Sequence, residues 1–543
     1  MRVEGEPLPP GTALETVLAY HARTRHRLDR YAPGPETLDW DAQPDPFRRF
    51  AGAPLHPLPL AAARYRLPWA RLAGGGDVPA QPLGRATVGA LLELSFALAA
   101  WKQFGPDRWA LRCAPSSGNL HPTEAYLVTR AVPGLADGLY HYAPREHALE
   151  HRCQVPAATG EARLYLGLSA IHWREAWKYG ERAFRYCQLD LGHALGALRY
   201  AAAVLGWRLR LVTELDGPGV ARRLGLDRAG DFAGAEGEDA DWLVEILPGA
   251  AATSALPPPV WPADACWLGR ANRLDPRPLY HWPAIGQVAA ATVPQAGPPL
   301  FAPAPPASGA AVPSSAQADA VALIRNRRSA QRFDKQATVD AAVFYRLAAA
   351  LLPAAGLPWD VWPWAPRVHP VFFIHRVDGL APGGYALPRT PEGEATLRRA
   401  LQVQLAACSP EGCPPALPLR LLAEGVTAGL LRKICCHQAL ASDCMFGVAL
   451  LAEYQAPLEA APWHYRLLHQ EAGLLGHALY LEAEAAGLRG TGIGCYFDEH
   501  AHGLLGVGDS RLQVLYHFTV GLPLTDARIT SAPAYAGRPS VPE

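Results

Sequence analysis

Methionine is nearly absent from this sequence, two in 543 residues, and so are net charge and any long apolar run. The low methionine count, beside many Ala, Arg and Pro, reflects codon usage and excludes no function. The charge balance excludes more. Lys+Arg and Asp+Glu stand at 50 each, so no net field draws the chain to nucleic acid or to an anionic membrane. The longest apolar stretch, residues 88–101, is interrupted by Glu93 and is too short to span a bilayer. Residues 1–15 are polar and proline-rich without an apolar segment, so no signal peptide is expected. Ten cysteines without a C-x-x-C suit a reduced, cytoplasmic protein with no disulfide framework. G-x-S-x-G, Walker A and basic-aromatic signatures are missing as well.

What is present is a globular composition, half hydrophobic and 18% charged, on a chain long enough for at least two cores. The 53 prolines, roughly twice the usual share, concentrate in one mid-chain stretch. Residues 256–315 carry Pro257-Pro258-Pro259 and Pro303-Ala304-Pro305-Pro306 with Gly, Ala and Ser between, which reads as a linker. An aromatic patch inside it (Trp267, Tyr280, Trp282) is suited to dock on a domain. The expected division is 1–252, a join at 253–317, and 318–543.

The two flanks repeat each other in order. Thr87-Val88 and Thr338-Val339 each open an apolar-periodic helix that the threonine hydroxyl can cap. His121-Pro122 leads into the strand Tyr126-Leu127-Val128, and His369-Pro370 into Phe372-Phe373-Ile374. A long helix then holds Arg185, Asp190, Gly192 and Gly206, and its counterpart holds Arg466, Glu471, Gly473 and Gly487, all at one offset of 281 residues. Strands and helices in this order predict α+β halves. The paired glycines Gly192 and Gly473 predict a close helix crossing.

Three segments carry a resemblance. Ala114-Pro115-Ser116-Ser117-Gly118-Asn119-Leu120-His121-Pro122 resembles the P-S-S-x-N-x-Q-P loop of nitroreductases. Arg327-Arg328-Ser329-Ala330-Gln331-Arg332-Phe333 resembles their R-R-S-x-R-x-F segment. Gly487-Leu488-Arg489-Gly490-Thr491-Gly492-Ile493-Gly494 resembles the glycine loop after their long helix. The opening His21-Ala22-Arg23-Thr24-Arg25-His26, with Lys178-Tyr179-Gly180-Glu181-Arg182, is similar to the SagB-type dehydrogenases, a branch associated with azoline oxidation.

The resemblance implies two tandem nitroreductase-like domains, each a mainly antiparallel sheet flanked by helices, forming an intrachain pseudo-dimer that holds one FMN. An FMN site must meet a dianionic phosphate and a polarisable ring, while the ring itself does the hydride chemistry. Arg327 and Arg328 offer planar charged donors for the phosphate, and Ser329 adds a hydroxyl; a solvated basic loop is the bland alternative. Ser116, Ser117 and Asn119, beside Pro115, suit the ring's polar edge, or a plain turn. Gly492, Ile493 and Gly494 allow close backbone approach, or end a helix.

Nitroreductases place FMN between subunits, and the halves here are complementary in that sense. The first-half counterparts of Arg327, Arg328 and Ser329 are Gly76, Asp77 and Val78, and those of Gly492 and Gly494 are Leu211 and Thr213. The second-half counterparts of Ser116, Ser117 and Asn119 are Trp364, Ala365 and Arg367. One composite site can be completed and its mirror cannot. Gln331 replaces a basic residue of the family pattern, and Arg528 is the candidate replacement.

The resemblance further implies Lys178 and Tyr179 as groups near the substrate; a surface turn is the alternative reading. The function expected is an FMN-dependent oxidoreductase acting on a small or peptidic compound, such as an azoline. The alternatives are NAD(P)H-driven reduction of nitro, quinone or enone compounds, and a non-catalytic flavin-binding partner subunit. No nucleic-acid or membrane partner is expected. His193 and His477 read as core histidines. Cys435-Cys436-His437, and Asp498-Glu499-His500 with His502, lack zinc spacing, so no metal is expected. Asp498 reads as a helix cap, and Cys495 and Gln438 receive no role.

Overall fold

Alternating apolar runs broken by glycine turns give each half one antiparallel sheet, and a long helix crosses it. The computed structural model describes residues 3–249, 258–297 and 316–541. The first sheet runs Trp207–Leu211, Asp239–Pro248, Arg163–Ala170, Thr123–Arg130, Gly138–Ala143, Ala148–Gln154. The second runs Arg489–Ile493, Leu512–Gly521, Phe446–Glu453, Val368–Ile374, Gly383–Ala386, Arg420–Glu424. The two orders correspond strand for strand, and every neighbouring pair within them is antiparallel. Parallel pairing among the described residues lies outside these sheets, in two short ribbons, Val3–Glu4 with Tyr280–His281 and Val339–Asp340 with Val377–Asp378, and in the single bridge of His26 with Phe497. The chain is α+β.

The helices Ala183–Val204 and His464–Ala485 are 22 residues each and almost wholly buried. They cross where the sequence places its paired glycines. A Cβ on Gly192 would lie 2.0 Å from the Gln470 carbonyl oxygen, and one on Gly473 would lie 2.1 Å from that of Leu189. Only hydrogen fits there, so glycine at both positions is what lets the two backbones touch. One core cluster runs through both halves across this crossing.

Three local expectations change. Thr87 lies inside the helix Arg85–Ser95 and its hydroxyl donates back to the carbonyls of Pro82 and Gly84; it caps nothing. Thr338 bonds Asp378, and Asp340 caps the helix Ala341–Ala349 instead. The join is also more than a tether. Residues 258–297 are folded onto the first half: Cys266–Trp267 pairs with Ala148–Gln154, Arg270–Ala271 with Phe50–Ala51, and Pro283–Ala291 is helical. Trp267 docks under Arg228, whose guanidinium lies 4.3 Å from the ring centroid. Pro257 and Pro303–Pro306 lie outside the described residues.

Candidate functional site

A cavity of about 420 Å³ opens between the halves, within the size range of cofactor sites. Its wall includes Pro115, Ser116, Ser117, Asn119, Tyr179 and Asp190 from the first half. From the second come Arg327, Arg328, Ser329, Gln331, Tyr480, Arg489, Gly492, Ile493, Gly494 and Cys495. Residues more than two hundred positions apart are thus brought to one space. Two expected residues are not. Lys178 points toward the Trp40 ring, 5.4 Å away, and does not border the cavity. Arg528 is exposed and turned to Asp526 at 2.6 Å, so it replaces no phosphate contact. The carboxylate that holds it lies two residues away on the same rim.

The second-half side is cationic. Arg327 is buried; its Nε donates to the Cys113 carbonyl at 3.1 Å, and its guanidinium lies 4.8 Å from the Tyr480 ring centroid. Its Nη1 is buried with no hydrogen-bond partner among the described residues. Such a nitrogen is expensive to leave unmet. Burial, and then the neighbouring Arg327, hold Arg328 down to about 10. Burial, then Arg328 and Arg489, lower Lys102. Against these four cations stands Glu484, which pairs Arg489 at 3.0 Å and accepts from the Arg328 backbone N–H. The surplus of positive charge, half-buried, is what a phosphate dianion would neutralise.

The first-half side is a braced loop. Gly118, Asn119 and His121 all adopt left-handed backbone, φ 57°, 60° and 54°. Asn119 donates to the Ala110 carbonyl and shares a hydrogen bond with His121, and Ser116 Oγ accepts from the His121 N–H. Ser117 donates to Asp190 from both its N–H, at 3.0 Å, and its hydroxyl, at 2.9 Å. These polar atoms therefore shape the loop before they meet any ligand. Burial pushes Asp190 up to about 7, although the Ser116 and Ser117 donors oppose it. Beneath the same loop Glu175 is pushed well above the carboxylate range by burial and by Asp190. Tyr179 stands against Gly118, where an added Cβ would meet its hydroxyl at 2.5 Å. Burial and Glu175 keep its phenol neutral.

The glycine loop serves tyrosines. A Cβ on Gly492 would lie 1.7 Å from the Tyr516 hydroxyl, and one on Gly494 would lie 2.4 Å from the Tyr186 ring. The Gly492 N–H donates to Tyr480, whose hydroxyl also bonds Ser329 at 2.8 Å. Both glycines border the cavity beside this tyrosine lining, and the Gly492 N–H is already taken by Tyr480. His193 bonds the Tyr516 hydroxyl at 3.1 Å and borders the cavity, whereas His477 is buried against it.

Sequence reasoning missed Tyr480, Tyr516 and Lys102, which no short motif marks, and gave no role to Arg489, which stands within the glycine-loop segment. It also missed a buried cross-half ion pair. Asp498, expected as a cap, accepts from Arg182 and Arg185, each at 3.0 Å, and from the His26 N–H. Burial would raise its carboxyl, but the two guanidiniums outweigh that and hold it at about 2. The same arginines donate to the carbonyls of Thr24 and His21, which ties residues 21–24 to the start of the long helix. No group of His, Cys, Asp and Glu among the described residues is arranged to hold a metal. No helix among them is long and apolar enough to cross a membrane.

The mirror position is filled. Trp364 packs on Trp362, Trp242 and Trp463 at ring-centroid distances of 4.9, 5.4 and 6.3 Å. The space left there is about 20 Å³, room for about one water. Glu471, the counterpart of Asp190, accepts from the Arg367 N–H but is neutralised by the buried Arg389.

Residues 80–235 match the model of the nitroreductase family. A protein of Methanocaldococcus jannaschii with a provisional nitroreductase name is 30% identical over 112 residues, 18% of this chain and 57% of its own length. The match thus spans a little over half of that relative. A solved structure from Anabaena variabilis, also provisionally named a nitroreductase, covers 94% of this chain and 99% of its own at 21% identity and a TM-score of 0.66. An FMN-dependent nitroreductase from Clostridium difficile covers 38% of this chain and 88% of its own at 11% identity, with a TM-score of 0.21.

Proposed function

Since the chain is nitroreductase-like in sequence over residues 80–235 and in fold across both halves, we propose that it is an FMN-dependent oxidoreductase with one composite cofactor site. The observation that carries this reading is the cavity between the halves, walled by the Ser116–Asn119 loop of one half and the Arg327–Ser329 segment of the other. The cofactor fits the donors present: an unmet buried guanidinium nitrogen and surplus cations suit a phosphate.

In this reading Arg327, Arg328, Lys102 and Arg489 hold the phosphate end. The Ser116–Asn119 loop, with Tyr186, walls the ring end, and Asp190 keeps Ser117 in place. When bound, FMN supplies hydride transfer to or from an organic substrate. Tyr179, a neutral phenol at the wall, can give its hydroxyl proton as hydride moves. Lys178, turned to Trp40, acts at most on the approach to the cavity. The substrate class is a small or peptidic organic compound. The finer reading is azoline-to-azole oxidation, supported by the Lys178-Tyr179 resemblance and by the place of Tyr179 in the wall.

The experiment is a fluorescence titration of the apoprotein with FMN. Arg327→Ala removes a buried charge-assisted donor and should weaken binding by roughly 10- to 100-fold, the equivalent of about 1.5–3 kcal/mol. Ser117→Ala releases the loop from Asp190 and should weaken it about tenfold, from the other half of the chain. Wild-type affinity in either variant would remove the shared site. Rapid bleaching of the bound flavin by NAD(P)H would replace azoline oxidation by reduction of nitro, quinone or enone compounds.

A further inference from the structure

Two cysteines that the flavin reading leaves unused meet at the wall of the same cavity. Cys436 follows the helix Ala428–Ile434, and Cys495 follows the strand Arg489–Ile493. Their Sγ atoms stand 2.8 Å apart. A disulfide bond measures about 2.05 Å, so the two sulfurs need little further approach to bond. Both side chains are half-buried, and Cys495 borders the cavity. The backbone is bent to achieve this. Cys436 and His437 are both left-handed, at φ 51° and 60°, a conformation uncommon outside glycine.

The setting distinguishes the two sulfurs. The hydrogen bond with Cys436, whose own thiol is pushed up, favours a thiolate on Cys495 first of all; burial opposes it, and His26 and Arg182 add to it. Around it the backbone is fixed: Arg182 donates to the Gly494 carbonyl at 3.1 Å, and Gln438 donates to the Cys495 carbonyl at 3.3 Å. By contrast burial raises the thiols of Cys113, Cys153, Cys187, Cys435 and Cys444, which makes them poor nucleophiles. A thiolate in an electropositive, partly open setting beside a second thiol is the arrangement of an attacking cysteine and its resolving partner.

We propose that Cys436 and Cys495 are a redox-active pair that closes to a reversible disulfide in the cavity wall, with a low-molecular-weight disulfide as the oxidant. Cys495 sulfur attacks one sulfur of the small disulfide, breaking its S–S bond and releasing one thiolate. Cys436 then attacks the Cys495 sulfur of the mixed disulfide, and the second small thiolate leaves. Two protein thiols become one disulfide, the oxidant becomes two thiols, and the two protons of the cysteines pass to them. The step does not depend on bound flavin.

The test is a peptide map of the full-length protein after exposure to oxidised glutathione, digested without reduction. The expected product is a peptide containing Cys436 joined to one containing Cys495, lighter by two hydrogens than the separate pair and lost after treatment with dithiothreitol. Cys436→Ser should instead hold a stable glutathione adduct on Cys495, while Cys495→Ser should leave Cys436 unmodified under the same exposure. A wild-type map in which other cysteines react first, or in which both sulfurs stay free, overturns the proposal whether or not the variants fold. So does a folded Cys436→Ser protein without an adduct at Cys495.

Discussion

Asp190 is a carboxyl group with two duties that pull against each other. It must accept from Ser117, which favours the charged form, yet it is buried and its pKa rises from 3.8 to about 7. A raised carboxyl means the folded chain holds the proton more tightly than the unfolded one. Its contribution to stability is therefore complete below about pH 4 and is lost as pH rises through about 7. Asp190→Asn removes that loss. Thermal unfolding over a pH series should show the variant gaining on the wild type between about pH 4 and 7 and levelling off above; a difference that does not change with pH would contradict this. Asp498 has the opposite sign. Held at about 2 by Arg182 and Arg185, it stabilises above about pH 4, and the effect fades as pH falls through about 2. Asp498→Ala leaves two buried guanidiniums without their partner and should cost about 3–5 kcal/mol in chemical denaturation. At this scale the sequence told a mixed story. Ser116, Ser117, Asn119 and Arg327 were legible because their spacing carries chemistry. Arg528 was misread, since Asp526, two residues before it, turns its guanidinium aside. Asp498 looked like a cap because its partners lie some three hundred positions away.

The elements show which glycines were readable and why. Gly192 and Gly473 sit at matching places on two apolar helices, so sequence alone pointed to a crossing, and the backbones do touch there. Replacing Gly192 with Leu must drive the helices apart. An overpacking cost of at least about 1–3 kcal/mol is expected, read as a lower denaturation midpoint; an unchanged midpoint would mean the crossing is not under constraint. Gly492 and Gly494 were equally visible, but their purpose was not. Their missing Cβ atoms make room for Tyr516 and Tyr186, residues from a different strand and helix, and nothing local to the loop names those neighbours. The threonine caps failed for a related reason. Helix starts are set by whichever side chain reaches the free N–H groups, and Asp340, two residues beyond Thr338, does so.

At the scale of the whole molecule, the two halves match in architecture and differ in what they leave open between them. Both sheets keep one strand order and both long helices keep one length. Yet the two equivalent positions between them differ twentyfold in space, about 420 against about 20 Å³. That imbalance was foreseeable from Asp77 and Trp364, because charge and bulk are properties of single residues. The tryptophan stack that does the filling was not, because Trp242, Trp362 and Trp463 converge only once both halves are folded. The aromatic patch of the proline-rich join pointed to docking on a domain, but not to the strand pairing that its central part makes with the first sheet.

The account rests on one cofactor shared by two halves. Flavin released from a weighed quantity of reconstituted protein, counted by absorbance, tests it most directly. One FMN per chain is the predicted result. A ratio of two would mean that the tryptophan-filled position also binds, and a ratio of zero under saturating FMN would mean that the cationic cavity is not a flavin site.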